Sequence, residues 1–280
     1  MIPLAYGTYG LGAIDLDEAI PAIARAGYDG VELTLADEWR GVSRRIDAAA
    51  GRAIGRKISD AGLTLNGFLV RDTVLPGAGR AGLDDETLRT LIESAHHCGA
   101  GDDAIITFTM GGAHDEWPTR NSELVARLGE LGEIAVRHGA VLAVEPHAKG
   151  LIDSVDRAAW LMHTVNHQAI RLNFDISHFA LPGMAFDLEE AASRLLPFAV
   201  HAHIKDSVAS ETGFRFVMPG EGALDLPHYF SVLAAHEWAH PVTVEISAQV
   251  FNAPQYLPLA AIESTFSALD AARREGKTGG

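Results

Sequence analysis

Short runs rich in β-branched and aromatic residues alternate with longer stretches of helical periodicity along the whole chain. The strand-like runs are PLAYGTY from Pro3, GVELTL from Gly30, LTLNGFLV from Leu63 and AIITFTM from Ala104. The series continues with VLAVEPH from Val141, IRLNFDISH from Ile170, AVHAHIKD from Ala199 and PVTVEIS from Pro241. Between them apolar residues recur every three or four positions, as in LDEAIPAIARAG, DDETLRTLIESAHHCG, TRNSELVARLGELGEIAVRHG and YLPLAAIESTFSALDAARR. Gly27, Gly62, Gly99 and Gly139 close helical stretches just before the next strand, where a residue free to take positive φ caps the helix. Strand–helix units repeated without a long linker predict an α/β fold, a single (β/α)8 TIM barrel over residues 1–275, with 276–280 a disordered tail. An open, doubly wound sheet would want a glycine-rich phosphate loop after its first strand, and GTYGLG from Gly7 only approximates one. The stretch from Ser207 to Asp225 is long for a βα connection and carries Gly213, Gly220 and Gly222, which suits a lid.

Side chains alternate between the faces of a strand. In VLAVEPH, Leu142 and Val144 then pack outward and Glu145 points into the barrel. IRLNFDISH sends Asn173 and Asp175 inward, AVHAHIKD sends His201, His203 and Lys205 inward, and PVTVEIS sends Thr243 and Glu245 inward. All of these polar residues fall near the C-terminal ends of their strands, the end at which barrel active sites are built. A buried carboxylate is costly unless paired or bound to a cation. Three carboxylates and an imidazole converging at one rim therefore make a metal-site composition. Each residue alone has a plainer reading: Glu145 as an ion-pair partner, Asp175 as a loop cap, His201 and His203 as polar filler, Lys205 paired with Glu221. Glu32 and Asn66 face the interior from earlier strands. Trp39, Phe68, Phe108 and Trp117, near strand ends, suit core or rim packing better than a sugar platform.

Composition narrows the chemistry. Asp and Glu number 37 against 22 Lys and Arg, a net charge of −15, which disfavours nucleic acid and anionic membrane surfaces as partners. The lone Cys98 excludes an intrachain disulfide and a thiolate-rich metal site, so any metal must be held by imidazole and carboxylate. No secretory or membrane-spanning segment is apparent, and a cytoplasmic setting is expected.

The segments LAVEPH, NFDISH, HAHIKD and TVEIS, in that order, resemble the sugar phosphate isomerase/epimerase group of xylose isomerase-like TIM barrels. The resemblance covers nearly the whole chain, and the H-x-H-x-K-D run followed by P-G-E-G and a late strand-ending Glu is its most specific part. It implies that Glu145, Asp175, His203 and Glu245 are the four metal ligands and that His178 contacts substrate. Family epimerases also carry an arginine in the loop after the H-x-H strand. Here that loop holds only Arg215, set further along.

Carboxylate oxygens with one imidazole suit a divalent metal, Mn2+ first, with Mg2+ or Co2+ as alternatives. Such a cation would acidify a C–H beside a carbonyl by stabilising an ene-diolate, which is what isomerisation and epimerisation both require. Glu145 and Glu245 are the expected base and acid. Lys205 and His178 would bind the developing oxyanion, His147, Asn66 and Arg215 would contact substrate, and His201 would orient His203. The expected partner is a small-molecule sugar or polyol-derived ketone, without a phosphate cradle, and barrels of this kind commonly form a homo-oligomer. The same ligands would serve a metal-dependent lyase or dehydratase acting on a keto-inositol or 3-keto sugar. An AP-endonuclease-like phosphodiesterase would need a basic footprint and further early-strand ligands. A non-catalytic sugar-binding barrel would have no use for three inward carboxylates.

Overall fold

The computed structural model describes residues 1–37, 42–77, 81–101, 103–211 and 213–278. The strands are β1 Leu4–Gly7, β2 Gly30–Leu35, β3 Thr64–Thr73, β4 Ala104–Thr109, β5 Ala140–Glu145, β6 Ile170–Asn173, β7 Ala199–His201 and β8 His203–Ile204, then β9 Asp206–Ser210, β10 Gly213–Val217 and β11 Val242–Val244. The helices are α1 Leu16–Ala26, α2 Ala48–Asp60, α3 Asp85–His97, α4 Trp117–His138, α5 Val155–Val165, α6 Leu188–Leu195, α7 Leu226–Ala235, α8 Ala248–Phe251 and α9 Pro258–Thr278. The parallel sheet runs β7-β6-β5-β4-β3-β2-β1-β11-β8. Only Ala202 separates β7 from β8, so its two ends are one run of chain and the sheet is a ring. The Phe174 N–H donates to the His201 carbonyl at 2.8 Å on one side, and the Thr243 N–H donates to the Ala202 carbonyl at 2.8 Å on the other. The result is a TIM barrel, as the repeating pattern predicts.

Local chemistry sets the boundaries. Ser154, Asp187 and Asp225 accept backbone N–H groups at the starts of α5, α6 and α7, the orphan donors that a helix leaves unpaired. Gly27 ends α1 at φ 107°, and a Cβ there would lie 2.7 Å from the Phe266 ring, so both backbone and packing demand glycine. Leu16, Ala19, Ile20 and Ile23 form the buried stripe of α1, and Leu142 and Val144 are the outward, fully buried residues of β5. The last helix is described to Thr278, and residues 279–280 of the expected tail lie outside the described residues.

Inside the long Ser207–Asp225 connection, β9 and β10 pair as an antiparallel hairpin. Its base is tied down by Asp206, whose carboxylate accepts the N–H groups of Gly220, Gly222 and Leu224 at 3.2, 3.0 and 3.1 Å. Phe216 and Phe214 pack with Ala148 and Leu181 in a small apolar cluster over the barrel mouth.

Candidate active site

Four elements bring a polar group to the C-terminal mouth. Glu145 is the last residue of β5, and His203 opens β8. The other two stand just past their strands. β6 stops at Asn173, and Asp175 caps a 3-10 turn at Ile176–His178, accepting the Ser177 N–H at 2.9 Å. β11 stops at Val244, and the Glu245 N–H donates to the Ile204 carbonyl at 3.0 Å. Glu145, Asp175, His203 and Glu245 each offer a ligand atom within 4.8 Å of the others, and all four are buried. His203 Nδ1 lies 3.2 Å from Glu145 Oε1 and 3.3 Å from Glu245 Oε2. Lys205 places its ammonium in this group, in hydrogen-bond contact with Asp175 Oδ2 and Glu245 Oε2 and 3.6 Å from Glu145 Oε1. An ammonium already seated among three carboxylates shows that the donor set is built around positive charge, and hard oxygens with one imidazole fit a divalent cation.

Beside these residues a cavity of about 260 Å³ opens between β3, β4 and β5, with Glu145, Glu245, His147, Tyr9 and Arg71 among its walls.

The model of the xylose isomerase-like TIM barrel family matches residues 20–267. This chain belongs to that family. An inosose isomerase of Bacillus licheniformis is 31% identical over 144 residues, 49% of each protein, so the chain spans about half the length of the curated relatives it matches. Among solved structures, the IOLI protein with a bound zinc atom superposes with a TM-score of 0.77 at 17% identity, covering 98% of this chain and 99% of that one. An L-ribulose 3-epimerase superposes at 0.72 and 18% identity, covering 99% and 98%. At such identities the structures establish the shared xylose isomerase-like fold.

Below the mouth, Glu32 of β2 is fully buried between two imidazoles, with His201 Nε2 at 2.9 Å and His203 Nε2 at 3.0 Å. The barrel leaves room for it because residue 7 is glycine: a Cβ there would lie 3.2 Å from Glu32 Oε2 and 2.9 Å from the Val244 carbonyl. His203 donates through Nε2 to Glu32, and its Nδ1 faces the other carboxylates. This hold on His203 is the feature that strand alternation understated. His201 reaches His203 through the shared Glu32, the two rings being 5.0 Å apart.

Charge balance follows from this packing. Burial, reinforced by Glu245, pushes the Glu145 carboxyl up to about 7. Burial works against the Glu245 carboxylate too, but the Lys205 and His203 cations outweigh it and hold that group well below the usual range. For Glu32, His203 and His201 likewise overcome burial and lower it to about 2. The carboxylates of Asp175, Glu245 and Glu145 overcome burial at Lys205 and keep it charged.

His178 accepts the Ala148 N–H at Nδ1, 3.1 Å, leaving Nε2 3.9 Å from Glu145 Oε1 and 3.8 Å from Asp175 Oδ2. Its burial and the nearby Lys205 cation hold it well below the usual imidazole range. The His147 ring lies 4.2 Å from that of His178, and Phe216 of the hairpin caps His178 edge-on at 5.2 Å. Two expected substrate contacts are not brought here. Asn66 stands at a register shift, where Val31 pairs with Leu65 and Glu32 with Gly67, so it is skipped by the ladder and bonds Thr64 Oγ1 at 3.0 Å near the start of β3. Arg215 lies between Phe214 and Phe216 on β10, so alternation turns it outward, where it is exposed. Lys205 pairs with Asp175 and Glu245 rather than Glu221. Phe68 is core, Phe108 is buried and also walls the cavity, Trp117 packs on Trp160 outside the barrel, and Trp39 lies outside the described residues.

Proposed function

We propose that this protein is a divalent-metal-dependent sugar isomerase or epimerase that moves a proton next to the carbonyl of a ketose or polyol-derived ketone. The observation that carries the reading is the pairing of Glu145 and Glu245: both belong to the cation-binding group and both wall the same cavity. A substrate in that cavity meets two carboxylates delivered by strands well apart around the ring. The inosose isomerase relatives and the epimerase of like fold are consistent with this chemistry.

Glu145, Asp175, His203 and Glu245 would hold the cation, Mn2+ first among the candidates, although the IOLI structure carries zinc. When bound, a divalent ion supplies a fixed positive charge that makes a C–H beside the substrate carbonyl more acidic. Glu145, at the cavity wall, is placed to accept that proton, and Glu245, on the same wall, to return one. His178, held neutral, donates through Nε2 to substrate oxygen. His147 lines the cavity beside it, and Phe216 covers His178 edge-on.

Replacing Glu145 or Glu245 by Gln keeps the shape and removes the proton acceptor. Each variant is expected to lose roughly 10²–10⁴-fold in exchange of substrate C–H for solvent deuterium, with circular dichroism unchanged. Near wild-type exchange in either variant would overturn its assignment.

A further inference from the structure

Lys205 is the least ordinary member of the cluster. Its side chain is 3% exposed, and its ammonium contacts Asp175 and Glu245 and approaches Glu145, three of the four residues that would hold a metal. The fourth, His203, lies two positions before it in the chain. Its backbone is pinned: the Lys205 N–H donates to Ser177 Oγ at 3.0 Å, and that hydroxyl donates to the Lys205 carbonyl at 2.8 Å. Only the flexible four-carbon stem is left to move. Three buried carboxylates without a cation would be strongly unfavourable, and the same oxygen lone pairs cannot serve an ammonium and a divalent ion together.

We infer that Lys205 is a resident counter-cation: in the metal-free protein its ammonium takes the place of the divalent ion, and the ion binds by displacing it. This rests on the metal site proposed above. It has two consequences. The protein keeps its site folded without metal, and metal affinity is reduced by the work of evicting the ammonium. Once evicted, the Lys205 ammonium has donors free for a substrate oxygen.

The test is direct. K205M and wild type are stripped with chelator, and Mn2+ binding and thermal midpoint are measured on both. The metal-free variant is expected to melt about 5 °C or more below metal-free wild type, with saturating Mn2+ closing most of the gap. Its Mn2+ dissociation constant is expected to be about tenfold lower or better, because an ion no longer waits for a vacancy. Equal affinity and an equal midpoint deficit with and without metal would overturn the inference. If K205M does not fold, wild-type protein labelled with 15N-lysine decides. Its Lys205 ammonium resonance, identified in a variant carrying K57R, K149R and K277R, should shift in step with diamagnetic Mg2+ binding. A resonance unmoved at saturation would overturn the inference while leaving the metal site standing. Wild type that binds neither ion would remove the metal site itself, and this reading with it.

Discussion

Glu32 and His203 are 171 positions apart in sequence and 3.0 Å apart in space. A carboxylate on the far nitrogen of a ligating imidazole fixes its tautomer and ring angle, and losing such a partner commonly costs 10–100-fold in metal affinity. Glu32→Gln is therefore expected to weaken Mn2+ binding by about that factor without touching the cavity, as read by titration calorimetry; unchanged affinity would show that His203 is held otherwise. Glu145 supplies a second prediction. Its carboxyl is raised to about 7 in the metal-free protein, so below that pH it is mostly protonated and must lose its proton to bind a cation. Mn2+ affinity should be near its plateau above pH 7 and fall as pH drops through 7, toward about tenfold per unit for one proton. An affinity flat from pH 8 to pH 6 would contradict the protonation state assigned to Glu145.

At the scale of elements, hydrophobic alternation predicts the strands and places Glu145 inward because β5 runs regularly to it, and His203 inward because the period carries across Ala202, the single residue between β7 and β8. Asp175 and Glu245 reach the site although their strands end one or two residues earlier, since a capped turn and a backbone bond to Ile204 continue the inward direction. The same logic fails at Asn66, because a skipped residue breaks the period, and at Arg215, because a hairpin of its own resets it. Neither break leaves a local hydrophobic signal. Glu32 faces inward as alternation requires, but its partners lie on the opposite end of the chain, so its role follows only from ring closure. The hairpin itself depends on Asp206. Asp206→Ala leaves three loop N–H groups without their acceptor, at about 1–3 kcal/mol each where buried. Faster proteolytic cleavage between Ser207 and Asp225 is the expected result, with a raised KM as Phe216 loosens over His178. Unaltered cleavage would mean the hairpin is anchored elsewhere.

Across the whole molecule, the barrel divides an excess of acid: a few carboxylates gather at and below the mouth with their own cations, Asp206 ties down the hairpin, and many of the other described acids lie on helix surfaces. Among the described residues no helix is long and apolar enough to cross a membrane. With a net charge of −15, the protein is expected to neither bind nor cleave abasic-site duplex DNA at about 0.15 M salt, as gel shift and cleavage assays would show. The proposed activity is proton transfer at carbon that depends on a divalent ion. Chelator-stripped protein should be incubated in D2O with a panel of ketoses, keto-inositols and 3-keto glycosides, with and without Mn2+, and carbon-bound deuterium followed by NMR. Uptake into at least one ketone beside its carbonyl, present with Mn2+ and lost with chelator, is the predicted result; turnover or exchange equally fast in stripped protein would contradict the account.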